Sequence, residues 1–155
     1  MAEESIKVNF DKEEDIISLF RIGKKSKFSL DFELPNGDIV VDYGFDGSIV
    51  GLEIFNASNY FPVLKKVEVS EKLKGNLIVQ YGRNWAQIFF EISSPRLKNP
   101  ISNSIISPYN KKIILVFLFI PIFQPRISSA KPINAIIKIT LNEAKISIIF
   151  SPDSK

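Results

Sequence analysis

Asp42–Ser58 reads DYGFDGSIVGLEIFNAS, and the fold depends on how this stretch pairs with the residues before it. Asp46-Gly47 predicts a tight turn, because glycine adopts positive φ without a steric penalty. The flanks, rich in Val, Ile and Tyr, predict strands on either side. Upstream, Phe28, Leu30, Phe32 and Leu34 alternate with Ser29, Asp31 and Glu33, the period-two pattern of a half-buried strand. Asn36-Gly37 supplies the next turn. Three strands joined at these two turns put Leu34, Ile39 and Ile54 in one row, Phe32, Val41 and Leu52 in the next, and Leu30, Tyr43 and Val50 in a third. Every member of that face is apolar, and a one-residue slip would turn each strand over.

The same period extends outward. Ile6, Val8 and Phe10 alternate with polar residues, and Ile17 and Leu19 follow the acidic loop DKEED, which predicts an opening hairpin. The charged stretch Leu64–Gly75 predicts a connector or short helix. Leu77–Tyr81 and Ala86–Ile92 predict a hairpin around the tip Gly82–Trp85. Ser93–Asn110, rich in Ser, Asn and Pro, reads as a long loop. Ile113–Phe123 is apolar on both faces and reads as a buried strand, with Pro121 at a bulge or an edge. Ile136–Leu141 and Ala144–Phe150 form a last hairpin, with Ile137 facing Ile148 and Ile139 facing Ile146.

The expected fold is therefore all-β, antiparallel hairpins forming a β-sandwich or two small packed β units, 1–75 and 76–155. The similar hydrophobic phase of Ile39–Phe55 and Ile136–Phe150 raises an internal duplication as one account of the two halves.

The chain has 155 residues and a net charge of +3. Residues 1–75 hold 10 Lys and Arg against 14 Asp and Glu, a net of −4, and residues 76–155 hold 10 against 3, a net of +7. That split suits an anionic partner for the second half, or pairing of acidic and basic units within or between chains, including a homodimer. The sequence contains neither Cys nor His, which removes thiolate nucleophiles, Ser-His-Asp triads, disulfides and Cys or His metal sites. The opening MAEESIKVNF has no apolar core of a signal peptide, and the run at 113–123 is too short for a membrane helix. The expected location is the cytoplasm, with no membrane partner and no cofactor.

The pattern D-Y-x-x-D-G-x-I-V-G-L-E-I-x-x-A-S at Asp42–Ser58, with NFDKEEDIISLF upstream, resembles the short prokaryotic family catalogued as domain of unknown function 2283. The resemblance covers residues 6–60. A Tyr common in the second strand of relatives is replaced here by Ser18-Leu19-Phe20. The resemblance brings no established activity, and it does not extend to the second half.

The three-strand register sets Glu33 and Glu53 beside Val40, and Asp31 directly opposite Asp42. Like charges so placed need compensation. A hard cation held by Asp31, Glu33, Asp42 and Glu53 would supply it, as would one carboxyl with a raised pKa, or a covering Lys such as Lys138 or Lys145. Arg83 and Trp85 at a hairpin tip, with Arg96, Lys98, Lys111 and Lys112 in loops, are the residues that could meet phosphates and stack a base. The leading reading is a non-catalytic protein-interaction module with a protein partner. The alternatives are a nucleic-acid-binding protein using the basic half, and a carboxylate-metal enzyme.

Overall fold

A computed structural model describes residues 5–68 and 71–109, and the backbone of residues 136–141 and 144–150. The first sheet contains β1 (Ile6–Asp11), β2 (Ile16–Arg21), β3 (Ser26–Glu33), β4 (Ile39–Gly44), β5 (Ile49–Ile54), β9 (Ile136–Leu141) and β10 (Ala144–Phe150), in the order β1-β2-β5-β4-β3-β10-β9. The second contains β6 (Lys74–Tyr81), β7 (Trp85–Ser93) and β8 (Ile101–Pro108), in that order. All pairings are antiparallel. A single helical turn, α1 (Ala57–Tyr60), and a 3-10 turn (Pro62–Lys66) lead from one sheet to the other.

The two sheets bury one apolar layer between them. Ile17, Leu19, Val41, Tyr43, Leu52 and Ile54 from the first sheet meet Leu77, Ala86, Ile88, Phe90 and Ile92 from the second. Burial alternates along β7, which is the period-two signature of a strand with one wet face. The all-β sandwich is thus the observed architecture. The C-terminal hairpin joins the first sheet beside β3, so among the described residues the second sheet is supplied by 74–108. Ile139 faces Ile146 and Ile137 faces Ile148, as the alternation predicts.

Two expectations change. Ile101–Pro108 is a strand and not part of a loop, because its backbone pairs with β7 along its whole length, from Ile92–Ile101 to Trp85–Pro108. Cross-strand pairing overrides the turn preference of Ser and Asn. The register of β3 is also two residues from the expected one: Phe32 pairs with Ile39, and Leu30 with Val41. A slip of two preserves the faces, so the apolar layer survives. Its cause is tertiary. The backbone carbonyls of Asn36 and Gly37 accept hydrogen bonds from Asn59 Nδ2 (3.1 Å) and Tyr60 Oη (2.7 Å), and the Asp38 carbonyl accepts from Phe55 N (2.8 Å). Those bonds tie the loop to α1 and to β5, while Gly37 N donates to the Leu34 carbonyl at 3.1 Å and closes a turn within it. On the other side of β4, Asp42 pairs with Gly51 and Tyr43 with Ile49, leaving Val50 as the extra residue of a β-bulge.

The acidic loop closes the opening hairpin through its own backbone. Asp11 accepts from the amides of Glu13 (3.0 Å) and Glu14 (3.1 Å). Asp15 sits at φ 54 and its carboxylate accepts from Ser58 N (3.1 Å) and Ser58 Oγ (2.6 Å). The Ala-Ser that ends the motif is therefore the partner of Asp15, and the clamp ties the first hairpin to the exit of β5. The expected buried strand at 113–123, with Lys111 and Lys112, lies outside the described residues. Among the described residues no helix is long and apolar enough to cross a membrane.

Candidate functional site

The outer face of the first sheet carries the carboxylates. Its middle row runs Ser29, Asp42, Gly51, Phe20 across β3, β4, β5 and β2, and the next row runs Asp31, Val40, Glu53, Ser18. Asp31 therefore faces Val40 and not Asp42, a direct result of the two-residue shift. Glu33 lies past the last β3–β4 pair, at the position opposite Lys145 of β10, and Asp31 is opposite Ser147, whose partner in β9 is Lys138. The expected quartet of carboxylates is thus dispersed. Among the described residues no group of three or more Asp or Glu side chains is assembled to hold a metal ion.

What remains is a buried Asp42 with a half-buried Glu53 as neighbour. Asp42 is 4% exposed, and its Oδ1 accepts from Ser29 Oγ and, at 3.3 Å, from Ser26 Oγ. Gly51 makes room for it: a Cβ there would stand 2.6 Å from Asp42 Oδ2 and 2.7 Å from the Phe20 ring. Burial raises the Asp42 pKa, against the opposing pull of the two serine hydroxyls. Burial also raises the pKa of Glu53, and the charge of Asp42 adds to it. Two such groups can hold a proton above the ordinary carboxylate range. Ser29 is itself buried beside Asp42, whereas Glu53 is only half-buried. Ser26 and Ser29 were not legible as site residues, since only the observed β3 register brings them to Asp42, whereas Gly51 lies opposite Asp42 in the expected register as well.

The outer face of the second sheet is different in kind. Ile78, Phe89 and Ser104 form one cross-strand row, and Gln80, Gln87 and Ile106 form the next. Ile78 is 56% exposed, Phe89 38%, Ile106 69% and Trp85 41%. Asn76, Ile78, Phe89, Glu91, Ser102 and Ser104 line a shallow groove of about 420 Å³ along this face. The Trp85 indole is seated on the hairpin tip, where a Cβ on Gly82 would lie 2.2 Å from its Cε2, and Gly82 N donates to the Trp85 carbonyl at 2.8 Å. Trp85 is thus exposed yet held. The sequence did carry a signal for this face. The inward set Ala86, Ile88, Phe90 and Ile92 leaves Phe89 outside, an apolar residue where alternation calls for a polar one.

The described basic candidates, Arg83, Arg96 and Lys98, do not form one patch. Arg83 adjoins Trp85 at the β6–β7 tip. Arg96 and Lys98 lie beyond the far end of the nine-residue β7, about 27 Å away at ordinary strand rise. Arg96 is ion-paired with Glu68, while its backbone N donates to Glu71 Oε1 at 3.1 Å.

These features define a small two-sheet β protein with one closed polar face and one open apolar face. Residues 7–58 match the family described as Protein of unknown function (DUF2283), in agreement with the resemblance read from Asp42–Ser58. The chain is also similar to "Uncharacterized protein MJ0789" of Methanocaldococcus jannaschii, 40% identical over 60 residues, which is 39% of this chain and 48% of that protein. The chain thus matches about half the length of that curated relative. No solved structure matches it. Neither match names a catalytic family.

Proposed function

We propose that the chain is a non-catalytic protein-interaction module whose docking face is the outer surface of β6–β8. The observation that carries this reading is the exposed set Ile78, Phe89, Ile106 and Trp85 on one face. Interfaces favour large aromatic anchors with few charges at the centre and a polar rim. Here Asn76, Gln80, Gln87 and Ser102 supply neutral polar neighbours, and Lys74 and Glu91 are the charges on these strands' outer positions. An apolar patch rimmed in this way is typical of a protein-binding surface. The seating of Trp85 on Gly82 reduces the entropy lost when a partner closes over it.

The test is to introduce Phe89→Ser with Ile106→Ser, and to compare the partners captured by the wild-type and variant proteins from cells of the source organism. Both side chains are exposed, so stability should change by no more than about 0.5 kcal/mol. A specific partner should be lost, with at least a tenfold fall in affinity once it is purified. Equal capture by both proteins would refute the reading.

Nucleic-acid binding by the basic half is a second reading, supported by Arg83 beside Trp85 at the hairpin tip. It requires binding to single strands at low salt that weakens steeply as salt rises. A salt-independent signal, or none, removes it.

A further inference from the structure

The loops at one end of the sandwich come from both halves of the chain. Residues 22–25 join β2 to β3, 45–48 join β4 to β5, and 82–84 join β6 to β7. These loops are fastened together. Tyr81 Oη accepts from Ile49 N at 2.8 Å, Tyr109 Oη donates to the Gly47 carbonyl at 3.2 Å, and Tyr109 N donates to the Asn84 carbonyl at 3.2 Å. Lys24 Nζ lies 4.0 Å from Asp46 Oδ2, and Lys27 Nζ lies 5.1 Å from the centre of the Phe45 ring. The stretches 22–27, 44–48 and 81–85 hold Lys24, Lys25, Lys27 and Arg83 against Asp46, a net of +3. Asp46 is engaged by its own turn, where Oδ1 accepts from Ser48 N at 3.0 Å and from Ser48 Oγ at 2.5 Å. At the opposite end of the first sheet, loops 11–15 and 34–38 hold one Lys against five Asp and Glu. The acidic half is therefore polarised along its strands, and these lysines share an end with Arg83. Aromatic rings open there too: Phe45 is 58% exposed, Tyr81 43% and Trp85 41%.

We propose that this end of the sandwich binds single-stranded nucleic acid, with Lys24, Lys25, Lys27 and Arg83 meeting phosphates and Phe45, Tyr81 and Trp85 receiving bases. Cations interleaved with open rings match what a single strand offers. Its phosphates are drawn by charge, and every base has a face that stacks on an aromatic ring. A duplex keeps those faces inside its own stack, and an acidic polypeptide engages the cations but brings no base to the rings. The sheets of a sandwich lie about 10 Å apart. A path from Phe45 on the first sheet, past Tyr81, to Trp85 on the second therefore crosses both layers within the reach of a few nucleotides. Two of the rings are held before a strand arrives, Tyr81 by the Ile49 amide and Trp85 by its seat on Gly82, which reduces the ordering cost of binding. The inference rests on the nucleic-acid reading above and moves its site, since three of the four cations belong to residues 1–75. It requires no protein partner on the outer face of β6–β8.

The test titrates the full-length protein with an oligothymidylate of about ten nucleotides at several salt concentrations. Trp85 is the single Trp of the chain, so its fluorescence should be quenched as a base stacks on it. Lys24→Ala with Lys25→Ala should weaken binding about tenfold or more and flatten the slope of log affinity against log salt by about 1.4. Phe45→Ala should weaken binding about fivefold or more and leave that slope unchanged. Lys65→Ala with Lys66→Ala removes the same charge from exposed positions on the 3-10 turn beyond β5, and should change affinity by less than about twofold because salt screens distant charges. An equal loss in that control would mean that net charge alone is sensed, and would overturn the proposal. Loss with Arg83→Ala but not with the Lys24–Lys25 or Phe45 variants would leave binding with the basic half and refute the shared end. Absence of binding at low salt would end both readings. Binding without quenching, matched by equal affinity for polyglutamate, would assign the end to an acidic polypeptide instead.

Discussion

Asp42 shows how one side chain can be costly and still fit its surroundings. It is buried on the outer face of the first sheet, accepts hydrogen bonds from Ser29 and Ser26, and has its pKa raised by burial. The folded state therefore binds its proton more tightly than the unfolded state, whose value lies near 3.8. Stability from this group is greatest below that value and falls as pH rises through the folded pKa, staying low above it. Glu53, shifted the same way, adds to the trend. Asn at position 42 cannot ionise and keeps an oxygen for the two hydroxyls. Asp42→Asn should thus raise the urea midpoint at about pH 7 and leave it nearly unchanged at about pH 3. A variant less stable at both values would show that the ionised carboxylate is favoured in the fold.

The β3–β4 connection shows an element set by its neighbours. Gly37 has φ +135, and a Cβ there would stand 2.1 Å from the Phe55 carbonyl oxygen. Gly23 also has positive φ, +82, but nothing lies within 4 Å of its missing Cβ. The two glycines separate backbone strain from close approach. Gly23→Ala should cost about 1 kcal/mol through conformation alone. Gly37→Ala should cost about 3 kcal/mol or more, because strain is joined by a backbone clash. Urea unfolding of both variants measures the difference. Equal losses would mean that the loop can withdraw from β5, and with it the reason for the two-residue register shift.

At the scale of the molecule, a column of aromatic rings fastens one end of the sandwich. Tyr43 stacks on Phe28 at 4.8 Å and on Tyr109 at 6.3 Å, and Tyr109 meets Tyr81 at 4.7 Å. Their hydroxyls cross between the sheets. Tyr81 Oη accepts from Ile49 N at 2.8 Å, Tyr109 Oη donates to the Gly47 carbonyl at 3.2 Å, and the Tyr43 and Ser107 hydroxyls lie 3.2 Å apart. Elsewhere, Arg21 reaches from β2 to the Leu77 carbonyl of β6 at 3.3 Å. Tyr43→Phe keeps the stack and removes one intersheet hydrogen bond, so it should cost about 1 kcal/mol. Tyr43→Ala also opens the core and should cost about 3–5 kcal/mol. If the two losses were alike in chemical unfolding, the hydroxyl and not the ring would be what joins the sheets.

Alternation determined the described strands other than Ile101–Pro108, their inward faces and the all-β class, because a period of two fixes which side of a sheet each residue takes. The rows of β4 and β5 near Ile39–Ile54 and Val41–Leu52 followed from the Asp-Gly turn. Tertiary structure decided the rest. The pull of Asn59 and Tyr60 on the β3–β4 loop moved Asp31 away from Asp42, and the acid cluster disappeared with that shift while the apolar layer was kept. Ile101–Pro108 became a strand because β7 offered its backbone. Ile78, Phe89 and Ile106 form one surface only because three strands from separate stretches lie in register. A local pattern reports which way a side chain faces, whereas its neighbours depend on contacts between residues distant in the chain.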